Sequence, residues 1–238
     1  MPNTKDLVIP ERSKILLVGR SGSGKTTSLG TFPKPTYIMD TDQGLGPLMG
    51  QDIEYDTFVD RPGEIPHAYT DIMKKIIELG KLPNPPATVA LDSFTTFTDL
   101  LMSHVSKMLG KTNHLLDRGD WQQVTIRLMN FINQFTSLSC NTVLVAHSDY
   151  EKDDVTGIVR IAPLTIGKLK WRLGMYFSEV YYCEVFQDAK GGGRKYVWYT
   201  GSDSNHDAKS RLSGSAGYLD VQEPQDYNKI LGKVGQAG

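Results

Sequence analysis

The stretch that most constrains this chain is Gly19-Arg20-Ser21-Gly22-Ser23-Gly24-Lys25-Thr26, directly after the apolar run Lys14-Ile15-Leu16-Leu17-Val18. It has the form G-x-x-x-x-G-K-[ST], placed where that form has physical meaning, between a buried strand and the start of a helix. Glycines let backbone N–H groups turn inward and approach an anion at the positive end of a helix. Lys25 is then expected to reach the β- and γ-phosphates of a nucleotide, and the Thr26 hydroxyl to join the shell of a Mg²⁺ ion. The expected phosphate-binding set is Gly19, Arg20, Ser21, Gly22, Ser23, Gly24, Lys25, Thr26 and Thr27. A Gly/Ser-rich turn with a chance lysine is the plain alternative; the complete match behind a strand argues against it and for a bound nucleoside triphosphate.

At 238 residues, 39% of them hydrophobic and 22% charged, the chain has the material to bury the core of one large α/β domain. A formal net charge of -1 supplies no global field toward nucleic acid, so contact with DNA or RNA has to use a local basic patch. The two cysteines, Cys140 and Cys183, lack metal-ligand spacing and read as inert thiols of a reducing compartment. Met1 to Asp6 contain no apolar signal region and no stretch is long enough to span a membrane, so a cytoplasmic protein is expected.

Taken in order, Leu7-Val8-Ile9 is a short apolar run closed by Pro10, and the helix after the phosphate loop stops near Phe32-Pro33-Lys34-Pro35. Thr36 to Asp40 reads as a strand and Ile53 to Val59 as another. Within Pro62 to Gly80, Ala68, Ile72, Ile76 and Leu79 share a helical face. Thr88-Val89-Ala90-Leu91-Asp92-Ser93 is an apolar strand ending in an acid, which places Asp92 with Thr26 in the Mg²⁺ shell; the alternative is a carboxylate that only opens the next helix. That helix carries Phe97, Leu100, Leu101, Val105, Met108 and Leu109, with His104 as a packed member of the stripe. After a loop from Gly110 to Gly119, Asp120 and Gln123 have the spacing of a capping box. Trp121, Val124, Leu128, Phe131, Phe135 and Leu138 then step as core packing.

Asn141 to Ala146 is a further buried strand, ending at His147. Tyr150 to Arg160 is polar, with Asp154-Val155-Thr156-Gly157 as a turn, and Leu164 to Phe177 looks helical. Val180 to Phe186 and Lys195 to Thr200 flank the turn Lys190 to Arg194, the pattern of an antiparallel hairpin. Residues 1–202 make the expected core and 203–238 a polar C-terminal tail. Strands alternating with helices predict a three-layer α/β fold with a mainly parallel sheet.

Within phosphate-loop proteins, a GTPase needs Asn-Lys-x-Asp, and Asn228-Lys229-Ile230-Leu231 lacks the aspartate. A transporter-type ATPase needs its Leu-Ser-Gly-Gly-Gln before the magnesium aspartate, whereas Leu212-Ser213-Gly214-Ser215-Ala216-Gly217 comes long after Asp92. No arginine-rich lid of a small-molecule kinase appears between the strands. The segment Tyr37-Ile38-Met39-Asp40-Thr41-Asp42-Gln43-Gly44-Leu45-Gly46-Pro47 resembles the RecA family's strand ending in an acid, with a second acid two residues on. Leu91-Asp92-Ser93 is similar to that family's magnesium-binding strand, and Val145-Ala146-His147 falls where the family has a γ-phosphate-sensing residue. Over residues 14 to 200 the chain resembles the core-only RecA-like ATPases of bacteriophages, AAA-domain nucleotide-binding proteins some of which anneal single strands.

The resemblance implies a RecA-like ATPase fold, ATP with Mg²⁺, and catalytic roles for Lys25, Asp42 and His147. Asp42 would orient the attacking water and His147 would contact the γ-phosphate. Asp42 is one methylene shorter than the family's usual glutamate, so it must approach closely or act through another water. His147 replaces an amide and carries a charge that varies near neutral pH. The competing readings are a solvated N-cap for Asp42 and a plain strand end for His147.

RecA-like ATPases usually assemble, which implies a homo-oligomer with Lys209 and Arg211 reaching across to a neighbour's nucleotide; a solvated charged turn is the alternative. For single-stranded DNA the candidate residues are Arg160, Lys168, Lys170 and Arg172, with Trp171 as a stacking platform. The alternative there is an amphipathic helix packing Leu169, Trp171 and Leu173 under a solvated basic face. The expectation is an ATP-dependent protein of recombination or annealing, phage-encoded and acting in the cytoplasm of a bacterial host, with a single-strand DNA-binding protein as a further partner. An NTPase of regulation or protein remodelling without DNA, and a nucleotide-sensing scaffold, are the rival readings.

Overall fold

In the computed structural model, which describes residues 12–111, 116–152, 157, 159–187, 193–212 and 219–235, the run before the phosphate loop is strand β1 (Lys14–Gly19). A pleated strand sends successive side chains to opposite faces. Ile15 and Leu17 accordingly pack on one side and Leu16 and Val18 on the other, all fully buried. A strand apolar on both faces needs cover on both, which is the physical reason for three layers.

Phosphate loop and helix α1 (Lys25–Leu29) follow, then β2 (Thr36–Asp40), β3 (Glu54–Thr57), α2 (Ala68–Lys81), β4 (Thr88–Asp92), α3 (Phe94–Met108), α4 (Arg118–Thr136) and β5 (Asn141–Lys152). The rest comprises β6 (Val159–Pro163), α5 (Leu169–Arg172), β7 (Glu179–Gln187), β8 (Arg194–Tyr199), β9 (Lys209–Ser210), β10 (Gln222–Pro224) and α6 (Tyr227–Gly235). The sheet order is β10-β8-β7-β1-β5-β4-β2-β3, with β6 paired to β5 and β9 to β7. From β7 to β3 neighbours run parallel, and β8 and β10 add antiparallel strands beyond β7. This is the expected three-layer α/β core with a mainly parallel sheet, and β5 stands between the phosphate-loop strand and the strand that ends in Asp92. Helices α2, α3 and α4 cover one face; α1 and α6 cover the other.

The C-terminal segment departs from the expected tail. After Ser202 the chain contributes β9, the edge strand β10 and α6, and buries Tyr227, Ile230 and Val234 against the second face. Tyr227 stacks on Phe32 with ring centroids 4.4 Å apart. The five-residue α1 is too short to cover that face alone, so the last helix closes it. The segment is polar on average because α6 has a single apolar stripe, and composition averages over the stripe.

Other elements are also longer, shorter or shifted. β5 runs on past Ala146 to Lys152 and pairs antiparallel with β6, so a hairpin stands where a polar connection was expected. In Leu164 to Phe177 only Leu169–Arg172 is α-helical, followed by a 3-10 turn at Leu173–Tyr176; Gly167 at φ +49° keeps the helix from starting earlier. The cap of α4 is Asp117: its carboxylate accepts from the N–H groups of Gly119 and Asp120, and Asp120 Oδ2 accepts from Asp117 N at 2.8 Å. Asp120 is thus the answering half of the box, and Trp121, in the first turn, is 40% exposed rather than core. Leu7 to Pro10, Asp154 to Thr156, Lys190 to Gly192 and Ser213 to Gly217 lie outside the described residues. Among the described residues no helix is long and apolar enough to cross a membrane.

Because Ile230 is fully buried, Ile230→Ala is expected to destabilise the fold by about 2–4 kcal/mol, read as a lowered urea midpoint at unchanged slope. An unshifted midpoint would mean that α6 stands outside the cooperative unit.

Candidate functional site

Parallel register builds the site. Gly19 pairs with His147, Val145 with Asp92, and Asp92 with Asp40, so the carboxyl ends of β1, β4 and β2 and the end of the parallel-paired stretch of β5 lie along one edge. Ligand crevices of open α/β sheets lie at that edge. The phosphate loop leaves β1 there with Gly22 at φ +75° and Gly24 at φ +91°, conformations that suit glycine. Close approach also demands glycine: a Cβ on Gly19 would stand 2.6 Å from the Cys183 carbonyl oxygen, and one on Gly24 2.9 Å from Tyr196 Cδ1.

The expected chemistry converges on a cavity of about 570 Å³ lined by phosphate-loop residues including Lys25 and Thr26, by Asp42, Asp92 and His147, and by Arg194 and Tyr196. Lys25 Nζ donates to the carbonyl oxygens of Gly19 at 2.8 Å and Arg20 at 2.7 Å. Burial lowers the Lys25 pKa, while the nearby Cys183, Asp92 and Asp42 act in the opposite sense. Thr26 Oγ1 donates to Asp92 Oδ2 at 2.6 Å, joining the two expected metal ligands. Asp92 is 4% exposed, and burial pushes its carboxyl up to about 6 against the hydrogen bond from Thr26. The Asp92–Ser93 peptide bond is cis.

Asp42 is held by several donors. Ser93 Oγ donates to Oδ1 at 3.1 Å, and His147 Nε2 lies 3.3 Å from Oδ2, donating when that nitrogen carries the proton. Burial works to raise the Asp42 pKa, but hydrogen bonds from His147, Thr96 and Ser93 outweigh it and leave the group below the usual aspartate value. The carboxylate is therefore anionic at neutral pH and able to accept a proton or a hydrogen bond. Asp40, the first acid of the pair, is buried and turned back to the chain, where Oδ1 accepts from the N–H groups of Asp42 and Gly44. Arg20 belongs to the loop by its backbone, but its guanidinium leaves the cavity: Nε donates to the Tyr150 hydroxyl and Cζ stands 4.8 Å from that ring centroid.

The remaining candidates lie elsewhere. Lys209 pairs with Val180 in β7 and Arg211 follows Ser210, which pairs with Glu179; Ile15 and Leu16 of β1 oppose that stretch of β7, so both cations sit at the end of the sheet away from the phosphate loop. Lys168 and Arg172 rim an apolar groove of about 600 Å³ floored by Trp121, Met129, Ile166 and Leu169. Lys170 instead pairs with Glu151, and Arg160 is exposed on β6 opposite that glutamate. Both thiols are buried, with burial pushing Cys140 up to about 11 and Cys183 up to about 12.

Three site residues escaped the sequence. Arg194 and Tyr196 of β8 line the cavity, and Gln225, after β10, braces the loop: its Nε2 donates to Ser23 O at 2.8 Å and to Val197 O at 3.0 Å. None lies in a motif; the one available signal was the alternation of β8, which puts Arg194, Tyr196 and Trp198 on a common face.

A family model described as an AAA domain matches residues 11–212. Among solved structures, the KaiC-like protein PH0186 from the hyperthermophilic archaeon Pyrococcus horikoshii OT3 is similar over 80% of this chain and 78% of its own, at 14% identity and a TM-score of 0.40. No curated protein matches the chain.

The raised Asp92 pKa has a sign that can be measured. The folded state holds this proton more tightly than the unfolded chain, whose aspartate titrates near 3.8. The contribution of Asp92 to stability therefore falls as pH rises from about 4 to about 6, and its full cost, roughly 3 kcal/mol, stands above that. In the presence of a chelator, Asp92→Asn is expected to be more stable than the parent at pH 7, with the difference closing toward pH 4. Parallel urea titrations of the two proteins would show it.

Proposed function

The chain belongs to the AAA-domain family, and from that premise we propose that it is an ATPase that binds single-stranded DNA and promotes strand annealing or homologous recombination. The observation that carries the ATPase half is the convergence of Lys25, the Thr26–Asp92 pair and the Asp42–His147 pair on one cavity at the carboxyl edge of the sheet. Backbone N–H groups of the loop and Lys25 bind the phosphates. Thr26 Oγ1 and the Asp92 carboxylate, already in contact, fit the hard oxygen donor set that Mg²⁺ takes. A Mg²⁺ ion held by these two oxygens would supply charge neutralisation to the phosphates. Asp42, kept anionic by its donors, orients the attacking water and accepts its proton, and His147 Nε2 donates to the γ-phosphate or to Asp42.

Support for the DNA half comes from what the site is tied to. His147 N donates to Thr95 Oγ1, whose hydroxyl donates to Leu164 O, and Leu164 N returns a bond to His147 O at 2.7 Å. Arg20 of the phosphate loop grips Tyr150 on the β5–β6 hairpin. The segment that follows His147 is therefore anchored to the nucleotide site at two points, and it leads to the groove lined by Lys168, Arg172 and Trp121. Cations that track phosphates beside an aromatic that stacks bases are the parts of a single-strand site. In this reading the protein works as a homo-oligomer, with Lys209 and Arg211, at the opposite end of the sheet, offered to a neighbour's nucleotide.

ATP with Mg²⁺ is expected to raise the Tm of the protein, and Lys25→Ala to lose that protection, because ligand binding to the folded state alone stabilises it by mass action. Labelled single-stranded DNA should be retarded in a gel with ATP present, more weakly as salt rises and more weakly for Lys168→Ala with Arg172→Ala. A protein protected by ATP that ignores single-stranded DNA at low salt would have the remodelling role instead.

A further inference from the structure

Tyr196 takes no part in the phosphate or water chemistry, yet it forms a wall of the same cavity. In β8 it shares a face with Arg194 and Trp198, and pairing with β7 sets Tyr196 opposite Val185 and Trp198 opposite Cys183. Trp198 and Cys183 are fully buried in the cluster under α1 and α6. The face is therefore the one that α1 covers, and Tyr196 and Arg194 carry it past the edge of the core to the phosphate loop. The ring edge lies against Gly24, where a Cβ would be 2.9 Å away, and the residue keeps 37% of its surface exposed. Gln225 holds this arrangement by bonding the loop at Ser23 O and β8 at Val197 O, the residue after Tyr196. A half-exposed aromatic fixed beside a phosphate cradle, with the guanidinium-bearing Arg194 next to it, matches the apolar end of a nucleotide in a cavity of ligand size.

We propose that Tyr196 is the stacking platform for the nucleobase, so that β8 of the C-terminal hairpin supplies the base subsite while the phosphate loop supplies the triphosphate subsite. The proposal rests on the reading of the loop as a nucleoside-triphosphate site. Calorimetric titration of the full chain with Mg²⁺-ATP and with inorganic tripolyphosphate separates the two. Tyr196→Ala and Tyr196→Leu are expected to weaken ATP binding by roughly 5- to 150-fold, the range of base–aromatic stacking, while Tyr196→Phe stays within about two-fold. Tripolyphosphate should bind all of them as it binds the parent. Tyr196→Leu keeps bulk in the strand, and melting curves confirm that each variant is folded. ATP binding unchanged in Tyr196→Leu would overturn the proposal. So would an equal loss of ATP and tripolyphosphate, which would make the ring a prop for Gly24 and nothing more. A parent protein that binds tripolyphosphate but gains nothing from the nucleoside removes the base subsite and leaves the loop reading intact. Failure of both ligands with the parent removes both readings.

Discussion

Parallel pairing brings the carboxyl ends of β1, β4 and β2 and the end of the parallel stretch of β5 to the same edge, and with them Gly19, Asp92, Asp40 and His147. Without that alignment the phosphate loop would be a flexible glycine turn and the acids would be scattered along the chain. With it, a lysine, a hydroxyl, two carboxylates and an imidazole share a single cavity. The strands hold this register because each face is fitted to its own buried cluster. A slip by one residue would exchange the contents of the two cores.

Holding such groups together has a cost, visible in the charges. Burial lowers the pKa of Lys25 and raises that of Asp92, so each is pressed toward its neutral form. Phosphates and a divalent cation would relieve both pressures at once, since they bring charge of the missing sign to each. Asp42 differs: hydrogen bonds from three side chains overcome its desolvation and keep it ionised. The site therefore contains one carboxylate suited to a cation and another suited to a water, and environment rather than residue type separates them.

The second face of the sheet ties stability to the site. α6 closes the core that α1 leaves open, and the turn before it delivers Gln225 to the phosphate loop and to β8. A segment near residue 225 thus braces a loop about two hundred residues before it in sequence. On the other side, the bonds through Thr95 and Leu164 and the Arg20–Tyr150 contact make the β5–β6 hairpin an extension of the nucleotide site.

The phosphate loop, the strand ending in Asp92, the amphipathic helices and the β7–β8 hairpin were legible because each is encoded locally, by a motif or by a period of two or 3.6. The resemblance to the RecA family pointed to Asp42 and His147 as partners of the loop, but their 3.3 Å approach depends on sheet order, which sets β2 and β5 on either side of β4. The sequence misled where packing overrode local pattern: Trp121 fits the stripe of α4 yet faces a groove, and a polar-looking tail buries Tyr227 and Ile230. Tyr196 and Gln225 were invisible for a simpler reason. Each reaches the phosphate loop from more than 170 residues away in sequence, and no local period or spacing encodes a contact that only sheet order and a closing helix create.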